Sequence, residues 1–145
     1  MNAIEKQITR GPGGRILTNT GVWSPDSMWI VYDTRPDASG EAFEGERIEM
    51  VSVGTGEVRV LYQARNGAHC GVVTFHPIEP RVVFILGPEN PAPDWTYGMS
   101  RRQGVIVDVN RHGVAMNLDA RDLSPPFTPG ALRGGSHVHV WDAAG

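Results

Sequence analysis

A short stretch near the N-terminus, repeated further along the chain, most restricts what this sequence can fold into. In its first copy, a strand-like segment at residues 16–23 leads into a Ser-Pro-Asp-Ser turn, and the β-rich residues 28–32 follow. Pro25 presets the backbone angle at the first corner of the turn, and the Asp and Ser after it can hydrogen-bond their own backbone. The stretch therefore predicts a β-hairpin.

The same hairpin recurs in the middle of the chain, where residues 69–75 lead to a His-Pro-Ile-Glu-Pro turn and residues 81–86 return. A third copy begins at Trp141. Each of the first two hairpins is followed by two more strand-like segments, so each unit has four predicted strands. The additional strands are predicted at residues 47–53, 57–62, 104–109 and 114–118. Repeated four-stranded units are typical of a β-propeller.

We therefore expect an all-β fold, a partial β-propeller with two four-stranded antiparallel blades, the first strand of a third blade and an N-terminal closing strand. The expected bounds are about 15–63 and 68–120 for the two blades and about 135–145 for the start of the third, with residues 4–9 closing the last blade. Two blades alone do not close a ring, and their outer faces would therefore stay exposed to solvent. We expect the N-terminal fragment of a longer propeller; the alternative is a ring formed by self-association.

Charge and hydropathy exclude several classes of partner. The net charge is −3 with no basic block, so neither nucleic acid nor an anionic membrane is an expected partner. No segment approaches the roughly 20 apolar residues of a membrane span. A single cysteine, Cys70, excludes an internal disulfide, and the first residues carry no signal-peptide pattern. The expected location is the cytoplasm.

Three histidines are the candidate metal ligands. His137 and His139 are two residues apart on a predicted strand, so their side chains share one face about 7 Å apart. His69 lies near the start of the corresponding strand in the second unit. The three imidazoles are predicted to converge at one mouth of the channel, where they suit a divalent metal such as manganese or zinc. The alternative is that they hydrogen-bond loop backbone and fill the inner rim.

Polar and aromatic residues of the long loops are the candidate ligand contacts. These candidates are Arg35, Asn90, Trp95, Arg101 and Arg133. The arginines, together with Arg102, can grip a carboxylate or phosphate with two parallel hydrogen bonds. Trp95 can stack on a sugar ring or fasten its loop to the sheet, and solvated charge is the alternative for each arginine. The predicted ligand is a small acidic or carbohydrate molecule.

The Trp-Ser-Pro-Asp-Ser turn with the aromatic-rich strand after it resembles the repeats of TolB-like and WD40-like propellers. Residues 67–69, 87–91 and 129–140 resemble the YidR-like propellers of enterobacteria, a family of unknown function. This resemblance implies that the chain corresponds to the N-terminal third or so of such a protein. A weaker resemblance, carried by the propeller and the His-x-His pair, is to oligogalacturonate lyases, which hold a divalent metal in the central channel.

Three functions remain open. The fold alone predicts an uncharacterised propeller that acts as a binding platform. The weaker resemblance implies, as the alternative, a metal-dependent lyase or hydrolase acting on an acidic oligosaccharide through His69, His137 and His139. A protein-interaction module of the periplasmic TolB kind is the third, and it requires an export signal. Whether the protein is an enzyme is left open.

Overall fold

The structure is a computed structural model that describes residues 4–118, 128–130 and 135–145. Within these residues the chain forms eight β-strands and one 3₁₀ helix of three residues, Met99–Arg101. The predicted all-β class is confirmed. In the described part of the chain, no helix has the length and apolar character needed to cross a membrane.

The strands form two four-stranded antiparallel sheets, and in each sheet the strands neighbour one another in chain order. The first sheet consists of β1 (Gly14–Ile16), β2 (Trp29–Arg35), β3 (Arg47–Ser52) and β4 (Val58–Gln63). The second consists of β5 (Cys70–Phe75), β6 (Arg81–Leu86), β7 (Gln103–Asp108) and β8 (Ala115–Asn117). The strands predicted between residues 47 and 118 lie within one residue of those observed, whereas β2 extends three residues beyond its predicted end at Tyr32.

The repeated turn is held by its own side chains, as the sequence predicts. In the first copy, the Asp26 carboxylate accepts hydrogen bonds from the Ser24 hydroxyl at 2.5 Å and from the Met28 N–H at 2.9 Å. In the second copy, His76 Nδ1 accepts from the N–H groups of Ile78 and Glu79 at 3.1 and 2.9 Å. In each copy a side chain of the turn therefore accepts from nearby backbone N–H groups, although the donors lie at different positions in the two copies.

The core lies between the two sheets, which pack through β2 and β5. Because side chains alternate along a strand, Val31 and Met50 of the first sheet face the second, and Phe84 and Val105 of the second face the first. The Phe84 ring also packs against Tyr62, with ring centroids 5.2 Å apart. The opposite face of each sheet is its outer face.

Two predicted strands are not formed as expected. Residues 4–13 and 135–141 have no strand assignment, so neither the N-terminal closing strand nor the first strand of a third unit is observed. A strand exists only where a neighbour pairs with its backbone groups. Within the described residues the later segment makes few such bonds, one of them from the Ser136 N–H to the Arg102 carbonyl at 2.9 Å.

The strand predicted to lead into the first repeated turn, residues 16–23, is interrupted. After β1 the chain leaves the first sheet, and Trp23 rejoins it through a single bridge to Ile30. Between these points the Gly21 carbonyl accepts a hydrogen bond from the Phe75 N–H of β5 at 2.7 Å. The segment therefore joins the two sheets, and pairing with β5 replaces pairing with β2.

The connections differ strongly between the two ends of the sheets. Short turns at residues 24–28, 53–57, 76–80 and 109–114 close one end, here called the turn end. Segments 36–46, 64–69 and 87–102 lie at the other end, here called the loop end, and the first and last of them are longer than any of these turns. The loop end is where side chains from both sheets have room to form a site.

Candidate functional site

A buried ion pair anchors the loop end. Asp33 and Arg35 alternate along β2 and therefore share the face toward the second sheet, where Arg35 Nε donates to Asp33 Oδ2 at 2.8 Å. The other carboxylate oxygen accepts from the Thr18 hydroxyl at 3.3 Å and from the Val72 N–H of β5 at 3.1 Å. Burial raises the pKa of Asp33, and the Arg35 charge with these hydrogen bonds opposes that effect. Asp33 thus ties β2 to β5.

The partner strand is shaped to receive this pair. Val72 has a φ of 60°, which is strained for a β-branched residue, and it lies where the pairing of β5 with β6 shifts register. Its neighbour Gly71 has no side chain, and a Cβ there would lie 3.1 Å from Asp33 Oδ2. The bulge and the glycine together let a donor reach the buried carboxylate.

Two aromatic rings and two arginines form a layer next to the ion pair, and its members are Phe43, Tyr97, Arg35 and Arg102. The Arg35 guanidinium lies 4.0 Å from the centroid of the Phe43 ring, and Phe43 stacks on Tyr97 with centroids 5.3 Å apart. Arg102 lies 4.8 Å from the Tyr97 centroid and 5.2 Å from that of Phe43. These contacts are cation–π interactions. They join residues 36–46 of the first sheet to residues 87–102 of the second.

Tyr97 reaches this layer because Gly87 leaves space for its ring, which a Cβ at position 87 would overlap. Burial raises the pKa of Tyr97 to about 12, although the charges of Arg102 and Arg35 oppose the shift. The phenol is therefore neutral at physiological pH. Its hydroxyl is buried without a hydrogen-bond partner among the described residues.

Two cavities open beside the layer. One, of about 420 Å³, is lined in part by Phe43, Glu44, Thr96 and Tyr97, and His69 forms another part of its wall. The second, of about 320 Å³, includes Arg35 and shares Glu44 and His69 with the first. The His69 ring packs edge-on against Tyr97, with centroids 5.9 Å apart. His69 is therefore the predicted site residue that the structure places between both cavities.

The three candidate metal ligands have separate surroundings. His137 Nδ1 lies 3.3 Å from an Nη of Arg102, whereas the His69 ring packs against Tyr97. The His139 ring packs against Gly104 on the outer face of the second sheet. The backbone carbonyl of His139 accepts a hydrogen bond from the Thr74 hydroxyl at 2.9 Å. Among the described residues, no three histidine, cysteine or acidic side chains are arranged to hold a metal ion. The histidine metal site stays a prediction that these contacts do not support.

The candidate ligand contacts are dispersed. Arg35 belongs to the buried layer, whereas Arg101 lies over the Trp95 ring at 4.9 Å and donates to the Thr96 carbonyl at 3.4 Å. Asn90 is exposed, and its N–H donates to the Asn66 carbonyl at 2.8 Å. Arg133 lies outside the described residues. The loop end thus brings Arg35 close to His69 but does not gather the other candidates around them.

Sequence reasoning missed Asp33 and Phe43, which organise the layer. The signal for Asp33 was available, because an Asp-x-Arg pair inside an otherwise apolar strand places two charges on one buried face. Phe43 lies in a polar loop with no periodicity, and only the fold brings it to Arg35 and Tyr97.

The chain is similar to one curated protein of unknown function. It is 55% identical over 140 residues to the uncharacterized protein YidR of Escherichia coli (strain K12). The match covers 97% of this chain and 32% of the relative, so the chain spans about a third of that protein's length. No solved structure matches the chain. The sequence model of a family described as a protein of unknown function (DUF3748) matches residues 69–145, and the chain therefore belongs to the DUF3748 family.

Proposed function

We propose that this chain is part of a β-propeller that serves as a platform for binding a small ligand, and that the ligand binds at the loop end. The observation that carries the proposal is the cavity of about 420 Å³ between the loops of the two sheets. Small-molecule sites are typically concave, about 300–1,000 Å³ in volume, and lined by apolar and aromatic groups with a few polar ones. Phe43, Tyr97, Glu44 and His69 match that description.

The propeller architecture is supported by the repetition of one unit. Both sheets are four-stranded meanders with the same strand order, and they pack face to face, as neighbouring blades do. The proposed blades are residues 15–63 and 68–120, with residues 135–145 belonging to a third blade and residues 4–9 to the last. The greater length of the E. coli relative leaves room for the other blades of a ring.

The ends of the described chain are also placed suitably for this architecture. Residues 135–141 cross the outer face of the second sheet, where the His139 ring meets Gly104, and this is the face that a third blade would cover. Residues 6–10 lie beside the start of β4 and border a cavity there with Gly56 and Val58. A segment in this position is near the face of the first sheet that the last blade would cover.

A ligand screen with two matched variants tests the proposal. Small acids and sugars are screened by ligand-observed NMR against the wild type, and the dissociation constant of any hit is measured for Thr96→Phe and Thr55→Phe. Both threonines are exposed, but Thr96 borders the large cavity and Thr55 lies at the turn end. We expect Thr96→Phe to fill the cavity and weaken binding at least about tenfold, a change of about 1.4 kcal/mol. Equal binding by the two variants, or no hit for the wild type, would refute the loop-end platform.

A further inference from the structure

Arg102 carries a partly buried charge that no carboxylate balances within residues 4–118, 128–130 and 135–145. In the same layer the Arg35 charge is neutralised by Asp33 at 2.8 Å. Around Arg102 are instead two aromatic rings and His137, and its Nε is buried without a hydrogen-bond partner. A cation withdrawn from water without a counter-charge is costly, so this position favours an anion.

The contact between Arg102 and His137 fixes which ring nitrogen of the histidine carries hydrogen. A guanidinium can only donate hydrogen bonds, so His137 Nδ1, 3.3 Å from the Arg102 Nη, must be the acceptor. In the neutral imidazole the hydrogen is then on Nε2. The two ring nitrogens point in divergent directions, so that N–H is directed away from Arg102. His137 therefore acts on Arg102 only as an acceptor that orients the guanidinium, and the other Nη hydrogens of Arg102 remain available to a ligand within the described part of the chain.

We infer that Arg102, oriented by His137, forms a subsite for an oxyanion, the carboxylate or phosphate group of a small ligand. The inference rests on the proposed binding function and names the chemical class of its ligand. A guanidinium offers such a group two parallel N–H donors, here those of its two Nη atoms. The Phe43 and Tyr97 rings shield part of the guanidinium from water, and this lower polarity strengthens the attraction between its charge and an anion.

The same contact argues against a metal ion at His137. A histidine that binds a metal through Nε2 normally donates its Nδ1–H to a carboxylate or carbonyl oxygen. Here the group facing Nδ1 is a cationic donor, which opposes both that tautomer and a nearby metal charge. The anion subsite and the metal site therefore exclude each other, and an experiment can distinguish them.

Calorimetric titrations at constant ionic strength test the inference with three probes: inorganic phosphate, glucuronate and glucose. We expect saturable binding of phosphate or glucuronate, with glucose, the neutral counterpart of glucuronate, at least about tenfold weaker. Arg102→Gln is expected to weaken anion binding by at least about tenfold. Arg101→Gln is the matched control, because Arg101 turns toward Trp95 and Thr96, and it should bind within about twofold of the wild type.

His137→Ala keeps the test valid if Arg102→Gln fails to fold, since His137 is exposed and its replacement does not disturb the core. It should weaken anion binding about three- to tenfold because the guanidinium loses the acceptor that orients it, and His137→Gln, whose amide oxygen can accept the same hydrogen, should restore binding. Saturation by neither anion, or wild-type affinity in both Arg102→Gln and His137→Ala, would overturn the inference, as would zinc binding that His137→Ala abolishes. A neutral ligand that Thr96→Phe displaces and Arg102→Gln leaves unaffected would contradict the anion subsite while supporting the loop-end platform. Which of phosphate and glucuronate binds identifies the anionic group.

Discussion

Asp33 and Arg35 show at the residue scale how charge can be buried in an apolar strand. Both oxygens of the carboxylate accept hydrogen bonds, from Arg35 of the same strand, from Thr18 and from the backbone of β5. Such a pair does little to stabilise a fold relative to apolar residues of the same size, but it is costly to break. Its value here is positional, because it fixes β2 against β5 below the rings of the loop end.

Replacing Asp33 by Asn tests this role. The amide keeps one acceptor but removes the charge partner of Arg35, whose side chain is only 3% exposed. We expect the free energy of unfolding to fall by about 3 kcal/mol in urea denaturation. Glu57→Gln, which breaks the exposed pair with Arg59, is the control and should change stability little. Equal effects of the two substitutions would show that the buried pair is not a structural tie.

At the scale of elements, the bulge in β5 decides whether the two sheets can meet at the loop end. The pairing of β5 with β6 shifts register next to Val72, and the Val72 N–H donates to Asp33 instead of to the backbone of a neighbouring strand. The strain at Val72 is offset by that hydrogen bond and by the burial of its side chain, which is 4% exposed. The local pattern of residues 70–75 predicts a strand but contains no sign of the bulge.

Gly71→Ala should disrupt this contact between β5 and β2. The added methyl would lie 3.1 Å from Asp33 Oδ2, and hydrogen bonds to both oxygens hold this buried carboxylate in place. We expect a loss of about 1–3 kcal/mol in the free energy of unfolding, as is typical of overpacking. The control is Gly54→Ala at the turn end, where a Cβ meets no atom within 4 Å. A Gly71→Ala protein as stable as Gly54→Ala would mean that the sheets adjust freely to each other.

At the scale of the whole molecule, the outer face of the second sheet exposes apolar side chains. Met116, Val138 and Val140 are 53%, 43% and 66% exposed. Met116 pairs with Ile106, which faces away from the core because its neighbours Val105 and Val107 face into it. A neighbouring sheet on this face would remove these side chains from water, at a gain of about 25 cal/mol per Å² of apolar surface.

The structure of a longer family member, such as the E. coli relative, tests the propeller. We expect a third sheet to cover the positions of Met116, Val138 and Val140 and the ring to close against the first sheet. The position of Ile78, which is 62% exposed at the turn end, should stay exposed and serves as the internal reference. A determined structure in which the outer face of the second sheet remains bare would contradict the propeller.

The sequence by itself determined the strands, the turns and the repetition of the four-stranded unit. These depend on local preferences, so the segment at residues 81–86 was predicted with the same bounds as the observed β6. A strand that needs a partner from elsewhere was less predictable. Residues 16–23 favour an extended chain, but whether they pair with β2 or reach across to β5 depends on packing.

Only the tertiary structure decided the site, because its members are distant in sequence. Asp33 and Val72 are 39 residues apart, and Arg102 and His137 are 35 apart. Alignment on the repeated turn placed the three histidines on corresponding strands and suggested that they would meet, but it does not determine which side chains surround each of them. His137 contacts Arg102, which lies over Tyr97, and the donors of Arg102 make the loop end suited to an anion.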